Sequence, residues 1–204
     1  FKYFAKAEVD VAVIEVGMGG RLDCTNIITP DLSVITNISF DHVQFLGNTL
    51  AKIAGEKAGI IKPGVPVVIG ETTEETKKVF KDKSLEMNAP IRFAEEEHEI
   101  ISSRPEGNTR VYETLHYGSF IGELGGLCQE KNTATILAAI DELRKAGYII
   151  AQEHIELGFG HVCKLTGLRG RWQQLGTRPT VICDTGHNTG GISYIAEQLE
   201  CVQA

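Results

Sequence analysis

Three short apolar runs, each rich in β-branched residues, mark the first third of the chain: "VDVAVIEVG" at 9–17, "DLSVITNIS" at 31–39 and "GVPVVIGE" at 64–71. Continuous apolar runs of this length suit strands buried on both faces of a parallel sheet. Between the last two lies "NTLAKIAGEKAGIIKPG", whose Leu50, Ile53, Ala54 and Ile61 recur on one helical face. Asn48 or Thr49 can cap its start, and Pro63-Gly64 stops it. Strand, helix, strand at this spacing is a βαβ unit. The pattern therefore predicts an α/β fold, a mostly parallel sheet flanked by helices.

Further along, "TEETKKVFKDKSLEMN" predicts a polar-faced helix and "PIRFAE" a short strand. Residues 98–125 alternate weakly around a Pro-Glu-Gly-Asn turn, which suggests short antiparallel strands. From Asn132 to Ala146, Ile136, Leu137, Ile140 and Leu143 share one helical face, and Gly147 supplies the stop. A second amphipathic stretch, "QEHIELGFGHVCKL", leads into the Gly/Arg-rich joint "TGLRGRWQQLGTRP". "TVICDTGHNTGGISYIAEQL" then restarts the pattern as buried strand, turn and helix, the opening βα unit of a further domain with its boundary near Leu175.

Composition narrows the functional classes. The net charge of −7 over 204 residues argues against a non-specific nucleic-acid binder, which needs a basic face. No apolar run reaches the ~18 residues of a membrane span, and no signal-peptide pattern opens the sequence. Cys24, Cys128, Cys163, Cys183 and Cys201 are scattered and form no C-x-x-C pair, which favours reduced thiols in a cytoplasmic protein. "FKYFAKAEVD" reads as the tail of a helix without a start signal, so the chain reads as an internal piece of a longer protein.

The chemistry gathers around "VIEVGMGGRLDCTNI". The loop is not a dinucleotide fingerprint, because Leu22 stands where the third glycine belongs, and no Gly-Lys dipeptide for a Walker loop occurs in the chain. What remains is Glu15 at the carboxyl end of a strand, the edge where open parallel sheets bind ligands. The second strand delivers Asp41 and His42 toward the same edge. Glu15 and His42 suit either a structural polar contact or a divalent cation completed by water or substrate oxygens. Lys57 falls on the apolar side of its helix, where a lone ammonium is costly. It must find a carboxylate, reach for the surface, or lose its charge. A neutral amine that adds carbon dioxide becomes a carbamate, an anion and a hard-cation ligand. Arg21 and Asp23 either line the substrate side or brace and cap the loop; bracing is the simpler role.

The runs "IEVGMGGRLDCTNI", "VITNISFDHVQFLGNTLAKIAGEKAGIIKPG" and "GRWQ…VICDTGHN" together resemble the folylpolyglutamate synthase/dihydrofolate synthase branch of the Mur ligase superfamily. The Asn-x-x-x-Asp-His and helical-lysine elements are common to the superfamily, and the G-x-G-G-R-x-D-x-T-N loop points to the folate branch. The resemblance implies an ATP-dependent ligase that activates a substrate carboxylate as an acyl phosphate, which the amine of L-glutamate then attacks. It implies that Glu15 and His42 hold magnesium, and that Lys57 is carbamylated and helps position a second magnesium. It further implies that Asn132 lies near the adenine, that Arg171 reaches the phosphates, and that Asp184 and His187 close over the nucleotide. Taken singly, Arg171 is equally a surface charge and Asp184 a turn residue capping a helix.

The implied architecture is a central ATP-binding domain over 1–150 without its P-loop, a helix and hinge over 151–175, and the start of a Rossmann-like C-terminal domain over 176–204. The usual Asp-Gly-Ala-His-Asn reads Asp184-Thr185-Gly186-His187-Asn188 here. The implied partners are ATP, L-glutamate and dihydropteroate or folate, with no nucleic acid and no membrane, in a monomer. The piece itself is expected to be inactive. A muramyl-peptide ligase is the alternative within the superfamily, and a catalytically inactive nucleotide-binding module the alternative of another class.

Overall fold

The computed structural model of the chain describes residues 1–201. Its centre is a parallel sheet of three short strands in the order β1 (Ser33–Ile35), β2 (Val67–Ile69) and β3 (Ile91–Phe93). β2 lies between the other two and is buried along its whole length, which is why its sequence is unbroken Val-Val-Ile. Alternation along the strand divides its side chains between two cores. Val67 and Ile69 join Ile35, Ala54, Ala58, Ile61, Phe80 and Phe93 on one face, while Val68 meets Ala94 and Ala138 on the other.

The first face is covered by α3 (Leu50–Ala58) and α4 (Glu74–Glu86). Thr49 rather than Asn48 caps α3, its hydroxyl accepting from the Lys52 amide at 3.2 Å. Thr73 caps α4 in a reciprocal box with Thr76, so the stretch expected to be a polar-faced helix starts where its sequence offers two hydroxyls three residues apart. The other face is covered by α5 (Gln129–Lys145). Leu137 and Ala138 are neighbours on this helix and serve different cores. Ala138 packs on the parallel sheet, and Leu137 joins Tyr112, Tyr117, Phe120 and Ile155 over the antiparallel sheet β4 (Ile100–Glu106), β5 (Thr109–Thr114) and β6 (Ser119–Gly122). α5 is thereby clamped between two sheets along its middle turns.

After α5 come α6 (Gln152–Gly160) and α7 (Val162–Thr166), and then β7 (Gln173–Thr177) paired antiparallel with β8 (Thr180–Cys183). The final helix, α8 (Thr189–Cys201), follows the Asp-Thr-Gly-His-Asn turn. Two short α-helices, α1 (Lys2–Ala7) and α2 (Val43–Leu46), and two 3-10 turns, Cys24–Ile27 and Ala94–Glu96, complete the elements among the described residues.

Two expectations are corrected. The sheet content is not mostly parallel: three of the eight strands among the described residues are parallel and the other five lie in antiparallel pairings. The reason is local, because β4–β5 turns at Gly107 (φ +59°) and β7–β8 through two residues, links too short for any crossover. Nor does 9–17 form a buried strand. It makes no ladder among the described residues and leaves Val13 94% exposed. A strand exists only through a partner, and β1 has one neighbour, β2. Likewise "TVIC" is a strand, but a half-exposed one in a two-stranded ribbon.

Candidate functional site

The glycine loop that follows Glu15 is closed on itself by Asp23. Asp23 Oδ2 accepts from the Gly17 and Met18 amides at 3.1 and 3.0 Å, and Oδ1 accepts from the Thr25 amide at 2.8 Å and its hydroxyl at 2.5 Å. The Thr25 bonds first, then those amides, hold the carboxyl down at about 2. Arg21 reaches across to Glu56 of α3 with Nη2 at 3.0 Å, while its own amide donates to the Glu56 carbonyl at 2.8 Å. Arg21 and Asp23 therefore brace and cap.

The loop lies directly on the last turn of α3. A Cβ on Gly20 would stand 2.9 Å from the Glu56 carbonyl oxygen and 3.0 Å from that of Lys57, and one on Gly59 would overlap the Arg21 backbone. This packing changes the setting of Lys57. The buried stripe of α3 is Ile53, Ala54 and Ala58, and Lys57 is half-buried at its margin rather than sealed in the core. Backbone of the glycine loop, not apolar side chain, covers its turn. Among the described residues its ammonium has no ion-pair partner, and neither has the exposed Glu15 carboxylate.

At the carboxyl ends of β1 and β2 a cavity of about 210 Å³ opens, lined by Asn37, Ile38, Glu71, Thr72 and Thr73 on the strand side and by Tyr194 of α8 on the other. Past Asn37 the chain turns through Asp41 and His42. His42 takes the left-handed conformation (φ +47°), its amide donating to Asp41 Oδ1 at 2.8 Å, so that the imidazole stays half-exposed with Nε2 3.8 Å from that oxygen. Asp41 Oδ2 accepts from Asn188 Nδ2 at 3.2 Å. That bond is the main cause holding the Asp41 carboxyl below its ordinary range, with smaller contributions from the His42 amide and from the charges of His42 and His187.

Asn132 sits in the first turn of α5 and donates to Gln129 Oε1 at 3.3 Å. Asp184 accepts from the Trp172 amide and the Gly186 amide, both at 2.7 Å. Cys128, just ahead of α5, records both Asp184 and Arg171: burial pushes its thiol up, Asp184 adds to this and Arg171 opposes it. Arg171 is exposed and without an ion-pair partner among the described residues. The charges of Arg171 and Asp184 are thus felt at Cys128 ahead of α5, and the Asn188–Asp41 bond ties the turn that carries His187 to the one that carries His42.

No group of three or more metal-ligating side chains gathers among the described residues. A closed metal cage does not fit. A hard cation that keeps most of its water shell needs only one or two protein ligands. The Glu15 carboxylate is exposed and the His42 ring half-exposed, so each is open to such an ion, but no hydrogen bond or ion pair joins the two among the described residues. Sequence reasoning passed over Asn188, Lys131, Tyr194 and Gln198. Asn188 is adjacent to a residue already singled out, and Tyr194 and Gln198 carry one signal, an i, i+4 spacing that sets both on one helical face.

Residues 1–139 match the Mur ligase middle domain. Over 98% of its length the chain is 35% identical to the dihydrofolate synthase/folylpolyglutamate synthase of Mycobacterium tuberculosis and 34% identical to that of Bacillus subtilis. Among solved structures, 99% of the chain superposes on an FPGS–AMPPCP–folate complex with a TM-score of 0.87 at 30% identity, covering 50% of that protein. A Mycobacterium tuberculosis folylpolyglutamate synthase complexed with ADP and AMPPCP superposes over 97% of the chain with a TM-score of 0.85 at 33% identity, with 45% of that protein covered. The chain spans about half the length of the curated relatives it matches, 42% and 47% of the first two. The chain belongs to the Mur ligase middle-domain family, and the relatives it matches are folylpolyglutamate/dihydrofolate synthases.

Proposed function

We propose that this chain is the ATP-site half of a ligase that joins L-glutamate to dihydropteroate or to a folate. The observation that carries the reading is the superposition of 99% of the chain on a synthase bound to an ATP analogue and folate. In this reading 1–150 is the central ATP-binding domain, 151–175 the hinge and 176–204 the start of a Rossmann-like C-terminal domain. The four cysteines free among the described residues suit the reducing cytoplasm.

The residues divide the work by their chemistry. The side-chain amide of Asn132 supplies a donor and an acceptor for a purine edge at the head of α5. Arg171, unpaired and exposed, supplies a planar cation for phosphate oxygens. Both oxygens of Asp184 already accept one backbone amide, which fixes the carboxylate and leaves lone pairs for ribose hydroxyls. His187, with Nδ1 3.0 Å from the Thr185 carbonyl, is held by that contact on its own exposed turn and would close over the nucleotide from there. Glu15 and His42 would hold magnesium, which when bound neutralises phosphate charge as a Lewis acid. Lys57, carbamylated, would offer a further anionic oxygen. The reaction transfers the terminal phosphoryl of ATP to the substrate carboxylate. The glutamate amine then attacks the acyl carbon, forming the C–N bond as phosphate leaves.

The test is ADP release by the full-length protein carrying this chain, supplied with ATP, L-glutamate and either dihydropteroate or a folate. The expected result is ADP release that requires both co-substrates, with a product heavier by one glutamate. Turnover only with a UDP-sugar peptide would make it a muramyl-peptide ligase. ATP binding without any turnover would make it an inactive nucleotide-binding module. The 204-residue chain alone is expected to be inactive, because it contains no Gly-Lys phosphate loop.

A further inference from the structure

α8 belongs to the segment after the hinge, yet it is fastened to the first turn of α5 by side chains with no role in the chemistry above. Gln198 makes a two-way clasp on the loop before α5: its Oε1 accepts from the Leu127 amide at 2.9 Å and its Nε2 donates to the Gly125 carbonyl at 3.3 Å. One turn earlier, the Tyr194 hydroxyl accepts from Lys131 Nζ at 2.9 Å, and the same ammonium stands 5.6 Å from the Tyr194 ring centroid. Lys131 also pairs with Glu71, just past the end of β2. Lys131 immediately precedes Asn132, and Gly125–Leu127 leads directly into the helix that presents it.

We infer that Tyr194 and Gln198 are positioning residues that lock the adenine-side turn of α5, so that nucleotide binding and the seating of α8 stabilise one another. The inference rests on the nucleotide reading of Asn132. Its physical basis is linkage: two events that require the same arrangement of residues 125–132 must each favour the other by the same factor. Both side chains are half-buried on an amphipathic helix, so replacing them opens no core. Among the described residues neither hydrogen-bonds to the Asp-Thr-Gly-His-Asn turn. Their loss should therefore weaken the grip on the nucleotide while leaving the chemical step intact.

The test uses the full-length enzyme with Tyr194→Phe, Gln198→Met and the two combined. The combined variant should raise KM for ATP roughly tenfold, within the usual range for coupled sites. Its kcat and its KM for glutamate should stay within about threefold of the parent. Gln198→Glu keeps the acceptor for Leu127 and loses the donor to Gly125, so it should fall between the parent and Gln198→Met. Hydrogen exchange at the Leu127 amide, read without nucleotide, should speed up in Gln198→Met. An unchanged KM for ATP in the combined variant overturns the inference, as does a fall in kcat alone or unchanged exchange at Leu127. If the parent binds no ATP while Leu127 exchange does speed up, the nucleotide reading has failed and the clasp itself stands.

Discussion

Asn188 donates its side-chain amide to Asp41 across 3.2 Å, joining two loops that are 147 positions apart. One loop follows a strand of the parallel sheet and carries His42; the other precedes α8 and carries His187. The same Asn188 accepts from the Gly191 amide at 2.8 Å, so a single side chain both starts α8 and anchors it to the loop after β1. The site is assembled by such crossings more than by any continuous stretch.

Asn188→Ala should release the Asp41 carboxyl upward toward its ordinary value. In the native protein this pKa is lowered, chiefly by Asn188. The bond therefore contributes fully above the unperturbed value of 3.8 and is lost as pH falls through the lowered one. Carboxyl carbon shifts followed through an acid titration would read this directly. Asp41 is partly exposed, so the stability change should stay under about 1 kcal/mol. An unmoved Asp41 titration in the variant would mean the bond is not the cause.

Asp23 works the same way inside the glycine loop. Its carboxyl, at about 2, lies below the ordinary 3.8, so loop closure is complete above that ordinary value and fades as pH falls toward 2. Asp23→Ala should speed hydrogen exchange at Gly17, Met18 and Thr25 at neutral pH while leaving the amides of β2 protected. Equal exchange at those three positions in both proteins would contradict the assignment.

Gly70→Ala should destabilise the protein by roughly 1–3 kcal/mol, because a Cβ there would overlap the Thr36 carbonyl and the Thr135 hydroxyl. Those groups belong to the segment after β1 and to α5, so the strain would push α5 off the sheet. Urea unfolding of the full-length protein would measure it. Gly64→Ala makes a useful contrast: its surroundings are open and only its φ of +72° is strained, so its cost has a different origin.

Lys57→Met should lower ligase activity of the full-length enzyme by about a hundredfold or more, the scale of losing one charged group at a phosphoryl-transfer centre. Lys57→Arg should fail equally, since a guanidinium retains its charge and forms no carbamate. Rates of the parent should rise when bicarbonate is returned to carbonate-free buffer. An active Lys57→Arg enzyme indifferent to bicarbonate would remove Lys57 from the proposed chemistry.

The amino-acid order by itself determined the elements whose signals are local. The βαβ unit of β1, α3 and β2 was legible because apolar runs, a Thr cap and a Pro-Gly stop lie within a few residues of one another. The hairpin around Gly107 and the helix ending at Gly147 were legible for the same reason. The candidate site residues could be named because their types and order along the chain match a family. Tertiary structure decided everything that depends on a partner distant in sequence. Val9–Gly17 has the composition of a strand, but strand formation needs a neighbouring ladder, and the residues stay irregular and mostly exposed. Lys57 has the spacing of a core position, yet the glycine loop lies over its turn and keeps it at the margin. Asp41 with Asn188, and Lys131 with Tyr194, meet only because β2 and α5 bring loops from both ends of the chain to one edge of the sheet. Periodicity specifies which way a side chain faces on its own element; which element it faces is settled by packing, a property of the whole chain.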